Sequence, residues 1–125
     1  MAFARTEDLA MRWDVEYAPG IRDLVAELMQ DLPAEATHKV RWVIELLRDN
    51  GLRLVETEHA ERVEGNLCVL RVSWRRVQIR LFYFRSGPQK FTILHAFKKR
   101  TRALPVAEIQ KAREAMMSVR QQRYP

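Results

Sequence analysis

The second half of the chain carries three strand-like segments in close succession, and these segments constrain the fold most. They cover residues 67–75, 76–85 and 91–97, and all are rich in β-branched and aromatic side chains. In the first two, apolar side chains alternate with polar or basic ones, which is the period of a strand. The third is almost wholly apolar, as a strand buried on both faces would be. Because the connections are short, we expect an antiparallel meander.

The first half of the chain predicts a short strand followed by two helices. Residues 13–17 alternate, and after the break at Pro19-Gly20 apolar residues recur at helical spacing to residue 32. Pro33 suits the start of a second helix, and Asn50-Gly51 suits its C-cap. Pro105 opens a last helix. Its apolar residues at helical intervals are Val106, Ile109, Ala112, Met116 and Val119.

These elements together predict an α+β fold in the order β-α-α-β-β-β-α. We expect a small antiparallel sheet that is backed by the N-terminal α-hairpin and carries a C-terminal helix. Residues 11–125 are expected to form a single domain, and residues 1–10 a flexible N-terminal extension.

Charge is segregated along the chain. Residues 65–107 contain ten Lys or Arg and no Asp or Glu, whereas residues 1–64 contain 14 acidic and 8 basic side chains. A single-sign field of this length favours a polyanionic partner such as nucleic acid. The alternative is a solvated basic face that binds nothing. The cations lie on strands rather than on the polar face of an amphipathic helix, so no membrane partner is expected.

Location and redox chemistry are constrained by what the sequence lacks. No apolar run approaches the roughly 20 residues of a membrane span, and the first ten residues have no apolar signal region. A cytoplasmic protein is therefore expected. The single cysteine, Cys68, leaves no internal disulfide and no cysteine-rich zinc site. It shares a strand face with Leu70 and Trp74, so we interpret it as a core residue.

Several sequence blocks carry a family resemblance. They are Asn50-Gly51, 65–67 (GNL) running into Leu70-Arg71, 80–84 (RLFYF), 94–101 (LHAFKKRT), and Pro105 followed by 108–112 (EIQKA). The series resembles the RelE/ParE toxin superfamily, in particular its phage-derived HigB-like branch, over about residues 12–120 of this chain. The part from residue 94 to 112 is the most diagnostic, because it joins a buried strand, paired lysines and a proline-opened helix.

The resemblance implies a small toxin of a type II toxin–antitoxin pair. RelE-like toxins mostly cut mRNA in the ribosomal A site, whereas ParE-like toxins poison DNA gyrase, and a shared fold does not choose between them. The resemblance also implies a cognate antitoxin that has an acidic segment or is a helix-turn-helix protein. The toxin would contact operator DNA only through this antitoxin. We favour a ribosome-dependent endoribonuclease whose partners are mRNA and the ribosome. A gyrase-directed toxin and a non-enzymatic nucleic-acid-binding domain of phage origin are the alternatives.

RNA can be cut without a metal, because its 2′-hydroxyl can attack the adjacent phosphorus. Such an enzyme assists proton transfer and stabilises the negative charge that builds on the phosphoryl oxygens. A two-metal nuclease needs clustered carboxylates, and residues 65–107 contain none. We therefore expect no metal and no other cofactor.

Three cations are the candidate catalytic residues. Strand alternation keeps Arg80 and Arg71 off the apolar strand faces, and a guanidinium group can bind a phosphate through two hydrogen bonds. The resemblance implies a functional arginine at Arg80 and basic positions at Arg71 and Lys99. The alternative is that these are ordinary exposed residues of a sheet. Further RNA-binding candidates are Arg75, Arg76, Lys98, Arg100 and Arg102.

The proton carrier is less clear from the sequence. His95 is a possible proton-transfer group, but it lies in an apolar strand, where a packed histidine is the commoner case. His38 and His59 are expected on the surface, and Tyr83 in the core. Val69 stands where the RelE pattern has a lysine, and the last helix lacks an aromatic residue between 106 and 116. The identity of the general acid and base therefore stays open.

Overall fold

The computed structural model describes residues 12–123, so the expected extension 1–10 lies outside the described part. An α+β fold is confirmed. Its elements are β1 (Asp14–Tyr17), α1 (Ile21–Gln30), α2 (Ala34–Asn50), a 3₁₀ helix (Gly51–Glu56), β2 (Ala60–Glu64), β3 (Leu67–Trp74), β4 (Val77–Gly87), β5 (Lys90–Lys98) and α3 (Val106–Arg123).

The sheet has five strands in the order β1-β5-β4-β3-β2. Strands β2 to β5 form an antiparallel meander, and β1 joins the far edge parallel to β5, with Asp14 opposite Lys90. The sheet is therefore mixed rather than wholly antiparallel. Strand β2 was not predicted, because three of its five side chains are charged (AERVE) and hide the alternation.

Helices cover both faces of the sheet. Val43 and Leu47 of α2 pack with Leu70 and Leu81 on one face, the face that strand alternation predicts to be apolar. Helix α3 packs on the other face over a second cluster that includes Phe82. Val106, the first apolar residue in the helical pattern of α3, is 76% exposed. The apolar contacts of this helix begin one turn later, at Ile109.

Helix α3 covers only half of its face of the sheet. Val69 and Phe82 lie under the helix, whereas Arg71 and Arg80, two residues further along the same strands, lie beyond it. Strand alternation places all four on the same face. The face is therefore divided into an apolar half covered by α3 and a basic half open to solvent.

Trp13 ties the start of the chain to the end of α2. Its backbone N–H donates to the carbonyl oxygen of Arg48 at 3.0 Å, and its ring stacks on Phe91 with centroids 4.5 Å apart. Gly51 caps α2 with φ +58° and lies against the indole ring, where a Cβ atom would overlap Trp13. This position thus needs both a left-handed backbone and the absence of a side chain.

The glycine contact predicts the effect of Gly51→Ala. Backbone strain and overpacking should together lower the free energy of unfolding by about 3 kcal/mol. Gly20→Ala is the matched control, because Gly20 has φ +81° but no atom within 4 Å of an added Cβ. It should lose only the strain, roughly 1–2 kcal/mol. Chemical denaturation of both variants measures the difference, and equal losses would show that Trp13 accommodates a methyl group.

Candidate active site

The centre of the site is a pair of arginines on neighbouring strands. Arg71 of β3 lies directly opposite Arg80 of β4. Side chains in such cross-strand pairs start about 5 Å apart, and like charges placed this way destabilise each other. A sheet that keeps two cations in this arrangement needs a compensating anion.

Glu61 supplies that negative charge within the protein. It lies opposite Val69 in the register of β2 and β3, so it faces the same side of the sheet as the arginines. Its carboxylate forms an ion pair and hydrogen bond with the guanidinium group of Arg71. No carboxylate was predicted here, because Glu61 comes from β2, which the sequence pattern does not reveal, and precedes the acid-free segment.

The predicted catalytic residues line one pocket. We call it the arginine pocket; it has a volume of about 420 Å³ and is lined by Glu61, Arg71, Arg80, Lys99, Arg102, Ala103 and Leu104. Lys99 enters from the end of β5, where its ammonium group donates to the carbonyl oxygen of Thr101 at 2.5 Å. The structure therefore brings together Arg71, Arg80 and Lys99, and adds Arg102 to them.

Arg80 is held in an environment that disfavours its charge. The half-buried guanidinium group donates to the carbonyl oxygen of Ile79 at 3.0 Å and to Gln78 Oε1 at 3.3 Å. Burial lowers the pKa of Arg80, the nearby cation Arg71 lowers it further, and Glu61 opposes both effects. An arginine keeps its proton at neutral pH nonetheless. The result is a poorly solvated cation, which a bound anion would stabilise.

A second opening continues the site along the sheet. This basic groove of about 600 Å³ is lined by Arg76, Val77, Gln78, Lys98, Lys99, Arg100, Thr101 and Arg102. It shares Lys99 and Arg102 with the arginine pocket, and its lining contains five cations and no acid. Arg75 is placed differently from the other predicted RNA-binding residues. It lies in the turn after β3, with its guanidinium carbon 4.7 Å from the centre of the Trp74 ring.

A third opening adjoins the arginine pocket at the arginine pair. This histidine pocket has a volume of about 310 Å³ and is lined by Lys39, Glu58, His59, Arg71, Ser73 and Arg80. The His59 ring stands edge-on to Trp42, with centroids 5.2 Å apart. His59 is partly exposed, and it forms part of a pocket wall beside both arginines, which the sequence did not predict. Recognising β2 as a strand would have placed residue 61 on the face of the arginines and residue 59 just before the strand.

His95 is placed away from the arginine pair. A bulge in β5 sets Phe82 opposite His95 but Tyr83 opposite Ile93, so Leu94 and His95 both face α3. His95 is 8% exposed, and its Nε2 lies 2.5 Å from a carboxylate oxygen of Glu108. This placement favours a packed, hydrogen-bonded histidine over a proton carrier.

Tyr83 is buried in the core, and Cys68 is partly buried against the same cluster, on the face that strand alternation predicts. Burial raises the pKa of the Tyr83 hydroxyl, and it also raises the pKa of the Cys68 thiol. A buried thiol whose pKa is raised is a poor nucleophile.

The contact between His95 and Glu108 predicts that Glu108 stabilises the fold. In Glu108→Ala the nearly buried imidazole of His95 loses its partner, which should cost about 1–3 kcal/mol. Glu114→Ala, an exposed position on the same helix, serves as the control and should change stability by about 0.5 kcal/mol or less. Thermal denaturation compares the two, and equal melting temperatures would remove the structural role of Glu108.

Two properties of residues 12–123 bear on the chemistry of the protein. They contain no group of three or more His, Cys, Asp or Glu side chains arranged to hold a metal ion. None of the helices in this part of the chain has both the length and the apolar character that a membrane span requires.

Comparison with known protein families places the chain in a family. The family model described as phage derived protein Gp49-like (DUF891) matches residues 27–117, which is more than half of the chain. This family is associated with RelE/toxin-like proteins. The matched range includes β2 to β5 and every residue that lines the arginine pocket. No curated protein is significantly similar to the chain.

Proposed function

Because the chain belongs to the phage-derived Gp49-like family, we propose that it is the toxin of a type II toxin–antitoxin system, of the HigB-like branch. Its proposed activity is cleavage of mRNA on the ribosome. The single observation that carries this proposal is the arginine pocket, in which two facing arginines and two further cations surround a space open to solvent. Such a cluster suits a phosphate group whose negative charge increases during reaction.

The pocket can lower the barrier to RNA cleavage by stabilising charge. Attack of a 2′-oxygen on phosphorus adds negative charge to the non-bridging phosphoryl oxygens. Arg71 and Arg80 can each donate hydrogen bonds to these oxygens. Because the sheet fixes both side chains before the substrate binds, little reorganisation is needed as the charge develops.

The basic groove can hold the rest of the RNA strand. Its five cations continue from the arginine pocket through Lys99 and Arg102, so neighbouring phosphates would contact Arg76, Lys98 and Arg100. Binding by phosphate contacts releases counterions and weakens steeply with salt. A solvated basic face without a partner would show no such dependence.

The same charges suit an inhibitory partner. We include in the proposal a cognate antitoxin whose acidic segment covers the arginine pocket, since complementary charge gives fast and selective capture. Operator DNA would be bound through that antitoxin. A ribosomal target also implies that the protein acts in the cytoplasm.

Replacement of Arg80 tests the proposed function. Arg80→Met keeps the apolar contacts of the side chain but removes a cation that the fold disfavours, so its melting temperature should stay equal or rise. Cleavage of ribosome-bound mRNA should fall by about 10²–10³-fold or more, as for loss of a transition-state donor. A thermal melt beside a single-turnover cleavage assay measures both.

Arg85→Met is the matched control for that experiment. Arg85 is an exposed cation of the same strand, and it donates to the carbonyl oxygens of Gly87 and Pro88 at the other end of β4. This variant should cleave at the wild-type rate.

If the Arg80→Met variant folds and cleaves at the wild-type rate, the reaction takes place at another site. Expression that breaks DNA but spares mRNA would support the gyrase alternative, and harmless expression would support a binding domain.

The chemistry predicts the ends of the products. Cleavage by the internal 2′-hydroxyl should proceed in EDTA, on ribosome complexes kept intact by polyamines, and should leave a 2′,3′-cyclic phosphate and a 5′-hydroxyl. The reason is that the nucleophile comes from the RNA and the charge is stabilised by protein cations rather than by metal. End-group analysis of the fragments decides between mechanisms, and recovery of only 5′-phosphate ends would indicate hydrolysis instead.

A further inference from the structure

Two side chains on either side of Ala60, one just before β2 and one within it, line pockets at the arginine pair. Ala60 lies between them and is buried in the core under the α-hairpin, opposite Leu70. Because side chains alternate along a strand, Glu61 faces the other side of the sheet. The ring of His59, in the turn before β2, stands against Trp42 of α2 and lines the histidine pocket with Arg71 and Arg80. The backbone fixes both positions: Arg71 N–H donates to the carbonyl oxygen of His59 at 2.8 Å, and Glu61 lies opposite Val69.

His59 and Glu61 line two pockets that adjoin at the arginines. Glu61 lines the arginine pocket, His59 lines the histidine pocket, and the two pockets share only Arg71 and Arg80. A phosphate bound at the guanidinium groups would therefore have a carboxylate in one adjoining pocket and an imidazole in the other. In-line displacement at phosphorus needs two separate proton-transfer groups, because the attacking and leaving oxygens lie on opposite sides of the phosphorus atom.

We propose that Glu61 is the general base and His59 the general acid of the cleavage, an inference that rests on the function proposed above. Glu61 takes the proton of the 2′-hydroxyl while an electron pair of that oxygen forms the new bond to phosphorus. The bond from phosphorus to the 5′-oxygen breaks, its electron pair stays on the oxygen, and the imidazolium of His59 supplies the proton. Glu61 ends protonated and His59 neutral, and exchange with water restores both.

The ion pair between Glu61 and Arg71 is compatible with this role. An arginine side chain has five N–H donors, so Arg71 can keep its contact with Glu61 while other N–H groups bind a phosphoryl oxygen. The contact holds the carboxylate at the edge of the pocket. The base is thus positioned before the substrate arrives, as efficient proton transfer requires.

Several charged groups face His59 and Glu61. His59 faces Glu58, whose carboxylate oxygen lies 3.7 Å from its Nε2, and also Lys39, Arg71 and Arg80. Glu61 faces Arg71, Arg80, Lys99 and Arg102. The base must be deprotonated and the acid protonated, so the rate should rise with pH, pass a maximum and fall.

The first test compares Glu61→Gln and His59→Gln in single-turnover cleavage of ribosome-bound mRNA across pH. Each variant should be slower by about 10²–10⁴-fold. Glu61→Gln should lose the rise of the rate at low pH, and His59→Gln the fall at high pH. His38→Gln and Glu56→Gln, two exposed positions outside the three pockets, are the matched controls and should keep the wild-type rate and profile.

A sulfur substitution at the cleavage site separates the two roles. When sulfur replaces the bridging 5′-oxygen, the leaving thiolate needs no proton from the enzyme. His59→Gln should then cleave within a few-fold of wild type, while Glu61→Gln stays slow, since its defect lies in activating the nucleophile. If sulfur fails to restore His59→Gln, or restores Glu61→Gln instead, the assignment is wrong.

The outcomes separate this inference from the proposed function. If the wild type cleaves and Arg80→Met does not, but Glu61→Gln and His59→Gln cleave at the wild-type rate, the inference alone is overturned. If wild type cleaves no ribosome-bound mRNA, the proposed function fails and the inference fails with it. Should Glu61→Gln unfold, Glu61→Asp keeps the charge beside Arg71 but withdraws the carboxylate by one methylene. It should still lower the rate at least tenfold, and a wild-type rate would contradict the role of Glu61.

Discussion

Two arginines of like charge face each other across the central strands, and the rest of the structure keeps them there. The α-hairpin packs on the opposite face of the sheet and fixes the strands in register. Glu61 offsets part of the repulsion, but the lowered pKa of Arg80 shows that its charge stays unfavourable in the folded chain. Binding of an anion would relieve this unfavourable energy, so the fold maintains a cation pair suited to phosphate at some cost to its own stability.

The extent of α3 decides where the site lies. Its hydrogen-bonded contacts hold it over the apolar half of the sheet: Arg113 donates to both carboxylate oxygens of Glu64 at 2.6 and 2.7 Å, and Glu108 pairs with His95. A longer covered area would bury the arginines, and a shorter one would expose Phe82. The boundary between core and site is thus set by the turns of α3 that contact the sheet.

Strand alternation and helix-capping residues predicted the elements whose faces and ends depend on neighbouring residues in the sequence. Strict alternation in β3 and β4 placed Arg71 and Arg80 on the correct face, and Gly51 marked the end of α2. These patterns failed where pairing between distant segments decides which face a side chain occupies. Strand β2 is an edge strand with mostly charged side chains, so its faces are defined only by pairing with β3. The candidate cations were therefore found, while Glu61 and the position of His59 were missed.

The two edges of the sheet have a consequence for aggregation. The most apolar strand, β5, lies between β1 and β4, and its sequence is of the kind that pairs readily with other chains when exposed. The edges are instead the two shortest strands, β1 (DVEY) and β2 (AERVE), whose acidic side chains discourage the addition of a foreign strand. Four residues of β1 thus shield the segment of this chain most prone to intermolecular pairing.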